Sequence, residues 1–382
     1  MTHVFIVNEK TFDTHLKYMF AGTGNKSNDL PQPPIQTPNK ASSIEKSLIG
    51  MIADISKVRI GDKVIFYVMG CKKFYGVFEI AGSPFYENFS LAQNNYLYNP
   101  ELNKKNLTFR VRIRPYTVYP KGIDEHKALD EINHLSHPYE MCWSLIYRKL
   151  SGSRGCSFLT DSEANTLINL ISQENNGNTI HFNDYSYDAN TQQIICNTVP
   201  KTYTGSTTNT LNVFPRLCQV TKSFEVFLQA YITQNFDNEP TLTPLLNLSD
   251  NNWIGNEVVC SVGEQRIDVM IISEFEECFK VRIIELKCDT PKEDIIKYQI
   301  PWYINWVDQY ISPNYNKPVF IIPTIIASKF RRNTSKKRAF FGTKTLFNTN
   351  LPNLRNSTCS PLEFISFDLN RVAANITFNL EP

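Results

Sequence analysis

Asp268 in RIDVMII (266–272), and Glu285 with Lys287 in KVRIIELKC (280–288), are ionisable side chains on stretches that otherwise read as buried, β-branched strands. An ionised group costs several kcal/mol to bury unless it finds partners, a metal or a reaction. Two convergent carboxylates suit a hard divalent cation such as Mg²⁺, with water and phosphate oxygens filling the remaining octahedral positions. Such an ion lowers the pKa of a bound water and stabilises charge on a phosphorane-like transition state, while an ammonium such as that of Lys287 orients the nucleophile or neutralises a scissile phosphate. These residue types therefore support hydrolysis at a phosphate. The competing reading is a structural ion-pair cluster on an edge strand.

The elements around these residues must bring them to one place. Alternate strand residues share a face, so Glu285 and Lys287 point one way and Ile284 and Leu286 the other. Antiparallel pairing of the two strands with Asp268 beside Glu285 puts the turn at Glu276 and Glu277, inside the polar run SEFEEC. Ahead of them, TKSFEVFLQAYITQNF carries Phe224, Phe227, Leu228 and Tyr231 at helical spacing, and NEVVCSV reads as a strand. After them, Thr290, Pro291 and Glu293 spell the start of a capped helix, and PVFIIPTIIAS is the last clear strand. The order helix, three strands, helix, strand is that of a mixed α/β layer structure.

With these motifs in this order, the stretch from about residue 214 to 328 resembles the PD-(D/E)xK nuclease superfamily in its RecB-like branch. The resemblance rests on RID (266–268), IELK (284–287), Glu225 on the preceding helix, and a Q-x-x-x-Y motif, Gln299 and Tyr303, on the following one. It implies that Asp268 and Glu285 bind Mg²⁺ (Mn²⁺ as an alternative) and that Lys287 acts on the nucleophilic water. It further implies that Glu225 supports the metal shell and that Gln299 and Tyr303 orient DNA or the site. Pro301 departs from the motif and should kink its helix. Trp302, Tyr303 and Trp306 read as core packing in preference to base-stacking platforms. Downstream, Lys329, Arg331, Arg332, Lys336, Lys337 and Arg338 form a basic run suited to DNA phosphates, with a solvated loop as the alternative.

The first half is β-rich. VFIVN (4–8) reads as a strand, NKSNDLPQPPIQTPNK as a long surface loop, SSIEKSLIGMIADI as an amphipathic segment, and KVIFYVMGCKKFYGVFEIAG as a hairpin. LTFRVRIRPYTVY alternates Arg110, Arg112 and Arg114 against Val111 and Ile113, giving one cationic face. TDSEANTLINLISQEN opens with Thr160 and Glu163 at capping-box spacing. The segment VRIGDKVIFYVMGCKKFYGVFEIAGSPFYE (58–87) resembles the PUA-like superfamily in its EVE and YTH-like branch, whose domains hold a modified or flipped base. For that base, Trp143, Tyr147, Arg148 and Arg154 are candidates to line the pocket, with core packing of Trp143 as the alternative.

A length of 382 residues suits two domains, and a net charge of +2 requires any anionic partner to be met by a local patch. The nine cysteines form no CxxC pair, the N-terminus shows no leader pattern, and no apolar run spans a bilayer, which together suit a reduced, cytoplasmic protein with no membrane contact. The expectation is a two-domain α+β and α/β chain. Residues 1–174 form a PUA-like β-barrel with helices, 175–213 a linker with one short strand in QIICNTV, and 214–382 a mixed-sheet nuclease core. The implied function is a modification-dependent restriction endonuclease acting on modified DNA, paired as a homodimer where both strands are cut. A structure-specific repair nuclease and a non-catalytic nucleic-acid-binding protein are the alternatives.

Overall fold

The computed structural model describes residues 1–24, 43–86, 107–129, 136–142, 144–145, 155–199, 201, 225–260, 265–330, 334–370, 372–373 and 375–382. The chain divides into two units, with the main boundary between Leu211 and Asn212. Among the described residues no helix is long and apolar enough to cross a membrane. The loop read at NKSNDLPQPPIQTPNK lies outside the described residues.

Unit 1 begins with β1 (Thr2–Val7) and α1 (Glu9–Tyr18). Between them Asn8 caps the helix: its Oδ1 accepts the Thr11 N–H at 2.9 Å and its own N–H donates to the Thr11 hydroxyl at 3.1 Å. That reciprocal box ends the strand one residue earlier than its apolar run suggested. β2 (Phe20–Thr23), α2 (Ser43–Ser56), β3 (Lys63–Val68) and β4 (Lys73–Ile80) follow, and β3 and β4 form the expected hairpin. β5 (Phe85–Tyr86), β6 (Phe109–Pro115), β7 (Ile123–Asp124), α3 (Glu125–Leu129), β8 (Cys156–Leu159) and α4 (Asp161–Glu174) continue the unit. The curled sheet runs β2-β6-β4-β3-β1-β8, with β5 on β6 and β7 on β4. Its β1–β3 pair is parallel and sits beside antiparallel neighbours.

Strand alternation sends two apolar sets to opposite faces. Val4, Ile6, Ile65, Tyr67 and Phe74 pack with Leu167 and Ile171 of α4. Phe66 and Tyr75 face the other way, with the Phe12 ring of α1 at 5.2 Å and 5.1 Å from them. Because both faces are covered, these strands read as unbroken apolar runs. α4 starts with the capping box its sequence announced: the Thr160 hydroxyl accepts the Glu163 N–H at 3.4 Å and Glu163 Oε2 accepts the Thr160 N–H at 2.8 Å.

Two readings of this half change. The segment read as linker from residue 175 contains a hairpin, β9 (Tyr185–Asp188) with β10 (Gln193–Cys196), that belongs to unit 1. Asp13 Oδ1 of α1 accepts the Ser186 hydroxyl at 2.8 Å and the Tyr187 N–H at 3.0 Å, and the Tyr187 ring lies 5.1 Å from Phe12. Buried tyrosines supply the apolar surface there, so an aliphatic-poor composition concealed it. The cationic face of β6 is also broken: Arg110 is 0% exposed, donates from Nε to Leu107 O at 2.8 Å and lies over the Phe20 ring. Arg114 alone of the three is fully on the surface, paired with Glu79 at 2.5 Å.

Unit 2 comprises α5 (Glu225–Asn235), α6 (Thr243–Leu246), β11 (Asn251–Val259), β12 (Arg266–Glu274), β13 (Phe279–Lys287), α7 (Ile300–Trp306), β14 (Val319–Ser328), α8 (Ser335–Thr349), β15 (Thr358–Cys359), β16 (Glu363–Asn370) and β17 (Asn375–Glu381). The mixed sheet runs β11-β12-β13-β14-β16-β17, with β15 on β14. β13, β14 and β16 are parallel neighbours, and the outer pairs are antiparallel. The Phe275 N–H donates to Cys278 O at 2.8 Å, closing the β12–β13 turn around Glu276 and Glu277.

The helix after β13 begins at Glu293, three residues later than the Thr290 signal indicated. Glu293 does not cap Thr290: its carboxylate accepts from Lys297 at 2.9 Å and from the Thr343 hydroxyl of α8 at 3.1 Å. Residues Ile295–Gln299 form a π-helical turn that leads into α7 one residue before Pro301. Proline supplies no N–H to the preceding turn, and the wider turn accommodates that loss without ending the helix.

The capping box of α4 should stabilise unit 1 measurably. Thr160→Ala is expected to cost about 1 kcal/mol and to lower the melting temperature of this unit by about 2–4 °C in calorimetry.

Candidate functional site

The β12–β13 ladder has Val269 opposite Ile284 as its last pair, so the next position sets Asp268 beside Glu285. Asp268 Oδ2 accepts the Leu286 N–H at 2.7 Å, which holds the carboxylate at the strand end. Glu285 is only 3% exposed, with Oε1 at 2.7 Å from Lys287 Nζ and Oε2 at 3.1 Å from the Tyr303 hydroxyl. Tyr303 comes from α7 and also lies 2.8 Å from Arg266 O. Its hydroxyl proton is shared between two acceptors, the Arg266 carbonyl and the Glu285 carboxylate, so the phenol bridges β12 and β13 at the site. Lys287 Nζ donates to Leu286 O at 2.7 Å and stands 3.6 Å from Glu225 Oε1 at the start of α5.

Asp268, Glu285, Lys287, Glu225 and Tyr303 therefore meet. Gln299 ends the π-helical turn, half-buried, and among the described residues no hydrogen bond joins it to this cluster. Lys329 is exposed at 3.8 Å from Asp368, and Lys336, Lys337 and Arg338 occupy the first turn of α8, where the sequence reading allowed a loop. Arg331, Arg332, Trp143, Tyr147, Arg148 and Arg154 lie outside the described residues.

Three further residues complete the surroundings. Gln229, one helical turn after Glu225, donates from Nε2 to Glu257 Oε1 and to Asp268 O, both at 3.0 Å. Glu257 lies between the ladder pairs Asn256–Val269 and Val258–Ile267, opposite Asp268, in left-handed backbone at φ 52°. A non-glycine residue held there costs about 1–2 kcal/mol, and its carboxylate is fixed by Arg266 at 2.8 Å. The i, i+4 relation of Gln229 to Glu225 was visible in the sequence. The position of Glu257 required the register of a strand whose start the apolar pattern did not mark.

Burial raises the Asp268 carboxyl well above the ordinary carboxylate range, and the neighbouring Glu285 charge raises it further. Burial also raises Glu285, against the pull of Lys287. For Lys287 burial acts to lower the pKa, but the charge of Glu285 outweighs it and the ammonium is held more firmly. Burial and these carboxylates push the Tyr303 phenol up, so it acts as a hydrogen-bond donor. Among the described residues no three His, Cys, Asp or Glu side chains converge as a preformed metal cage. Two carboxylates whose mutual repulsion a cation would relieve fit Mg²⁺, which takes one or two carboxylates and fills its shell with water and phosphate oxygens.

In class, the chain joins a curled-sheet unit to a mixed-sheet unit with a partly buried acid–lysine cluster. Residues 53–141 match the family model of the EVE domain, so this part of unit 1 is an EVE domain of the PUA-like kind. No curated protein matches the chain significantly. Similar solved structures include a hypothetical protein from Leishmania major, with 13% identity and a TM-score of 0.29, covering 45% of this chain and 95% of that one. A Pseudomonas putida protein has 10% identity and a TM-score of 0.27, covering 45% and 99%. Human THYN1 in complex with 5-methylcytosine-containing DNA has 13% identity and a TM-score of 0.25, covering 44% and 96%. At these scores the family match is the finding on which the reading of unit 1 rests.

The raised carboxyls set a pH dependence. Because Asp268 and Glu285 titrate above their unfolded values, the stability they lend is present in acid and is lost as pH rises through the raised values. A cation that binds the deprotonated pair restores it. Mg²⁺ or Mn²⁺ at about 100 times its dissociation constant should add about 2.7 kcal/mol. The melting temperature should rise by about 2–4 °C per kcal/mol, more at about pH 8 than at about pH 6. Cation stabilisation that is indifferent to pH, or that survives in Asp268→Asn, would disprove the assignment.

Proposed function

We propose that the chain is a modification-dependent DNA endonuclease, in which the EVE unit reads a modified base and unit 2 hydrolyses phosphodiester bonds with Mg²⁺, or Mn²⁺ in its place. The observation that carries this reading is the pairing of half-buried Asp268 with buried Glu285, with Lys287, Glu225 and Tyr303 around them, in the same chain as an EVE domain. Lys287 can offset only one of the three carboxylates gathered here, whereas a divalent cation would offset the remainder.

Asp268 and Glu285 are the residues that would hold the ion. When bound, the cation supplies a more acidic water and stabilises charge on the phosphoryl group. The Leu286 N–H fixes the direction of Asp268, and Tyr303 fixes that of Glu285. Lys287 reaches solvent, with its side chain 30% exposed, while paired to the sealed Glu285. Its ammonium would orient the attacking water or hold the scissile phosphate. Gln229 ties the Asp268 backbone to α5, so the helix that carries Glu225 is also the one that positions Asp268. The EVE unit supplies selectivity, and cutting both strands takes two copies of unit 2, hence a pair of chains.

Digestion of matched DNA tests both halves. Substrates are unmodified, 5-methylcytosine (the base in the THYN1 complex), 5-hydroxymethylcytosine and glucosylated DNA, each with Mg²⁺. The wild type should cut one modified substrate and spare the unmodified one, while Glu285→Ala and Lys287→Ala should each lose on the order of 100-fold or more in rate. Cutting that follows branched structure regardless of modification would make this a repair nuclease. Failure to cut any DNA or RNA would leave a non-catalytic binder, and Glu285→Ala cutting like wild type would refute the site.

A further inference from the structure

The helix bearing Tyr303 leaves two large rings in solvent. Tyr298 is 71% exposed and Trp302 51% exposed, whereas Tyr303 and Trp306 on the same helix are buried. Tyr298 and Trp302 are four residues apart and so share one face, which continues through exposed Asn305 and Gln309. The Trp302 indole N–H donates to Cys260 O at 3.3 Å, next to the end of β11, which leaves the ring held by its edge. Trp302 precedes Tyr303, whose hydroxyl meets Glu285, so the helix that carries the exposed rings also reaches the carboxylate cluster. This overturns the core-packing reading for Trp302 and keeps it for Tyr303 and Trp306.

The start of the Tyr298 helix carries mixed charge, Glu293 and Asp294 with Lys297, whereas α8 brings Lys336, Lys337 and Arg338 in its first turn and no carboxylate. Thr343 of α8 bonds Glu293 at 3.1 Å, joining it to the helix of Tyr298. Lys336 and Arg338 are exposed in the first helical turn, where the macrodipole is also positive, so an approaching anion is favoured twice. A symmetric second copy would bring like-charged α8 helices together. A strand of nucleic acid offers both complements, flat apolar faces for the rings and phosphates for the cations.

We propose that Tyr298 and Trp302 stack unpaired nucleobases of a DNA strand at the unit 2 site, with Lys336 and Arg338 holding its phosphates, so that this unit engages DNA where the duplex is locally open. The proposal deepens the nuclease reading and rests on it for the role of the carboxylates, but it is tested by binding, apart from the digestion that tests that reading.

The full chain is titrated in EDTA with labelled oligothymidine and with a duplex of equal length, following fluorescence anisotropy. Trp302→Ala and Tyr298→Ala should each weaken oligothymidine binding by on the order of 10-fold, with Trp302→Phe close to wild type. Lys336→Glu with Arg338→Glu should weaken both ligands and flatten the salt dependence. Tyr298→Ala removes the more exposed ring and guards against a folding defect in the tryptophan variant. Unchanged oligothymidine affinity in both alanine variants would overturn the proposal. So would a shift from dimer to monomer in sedimentation without loss of affinity, which would make this a self-association face. Weakened binding with no cleavage by the wild type would keep the platform and sink the nuclease reading; cleavage with unchanged affinity in the variants would do the reverse.

Discussion

The register of β12 against β13 is the constraint from which the unit 2 site follows. With Val269 opposite Ile284, Asp268 and Glu285 become neighbours at the end of the ladder, and Glu285 shares its face with Lys287. A slip of one residue would turn Glu285 and Lys287 to the face of Ile284 and Leu286 and leave Asp268 facing no acid. The tight turn at Glu276 and Glu277 holds the pairing, as does the parallel pairing of β13 with β14, which runs through Glu285 to Lys287.

Given that register, electrostatics shape the surroundings. Two acids share one corner, Glu285 buried and Asp268 half-buried, and the fold places beside them one ammonium, one phenol and the Leu286 N–H. These partners lessen the repulsion without removing it, since burial still raises both carboxyls. The helices on either side contribute one residue each to the cluster, Glu225 from α5 and Tyr303 from α7, while Gln229 and Glu257 brace the strand of Asp268. The left-handed backbone at Glu257 is the kind of local cost that persists when neighbours over-determine it.

Unit 1 is built on a different constraint, the coverage of both faces of one sheet. α4 covers one side, and α1 with the β9–β10 hairpin covers the other through Phe12, Tyr75 and Tyr187. Arg110, on a strand in that sheet, is also buried and serves the Leu107 carbonyl and the Phe20 ring in place of solvent.

Local periodicity made much of this legible. The strands around Asp268 and Glu285, their turn, the Thr160 capping box and the β3–β4 hairpin all depend on neighbours within a few residues, and that is the range over which side-chain alternation and capping act. The resemblance of residues 58–87 to an EVE-like domain agrees with the family match over residues 53–141. Other features were fixed only by elements distant in the chain. Thr290 lost its capping partner because Glu293 found Lys297 and Thr343, and Tyr185 and Tyr187 became core because α1 lay against them. Arg110 went inside and Trp302 outside although their spacing suggested the reverse. Sequence by itself determined which residues lie on a common face; tertiary structure decided which face is covered, because burial depends on the partner that arrives from elsewhere in the chain.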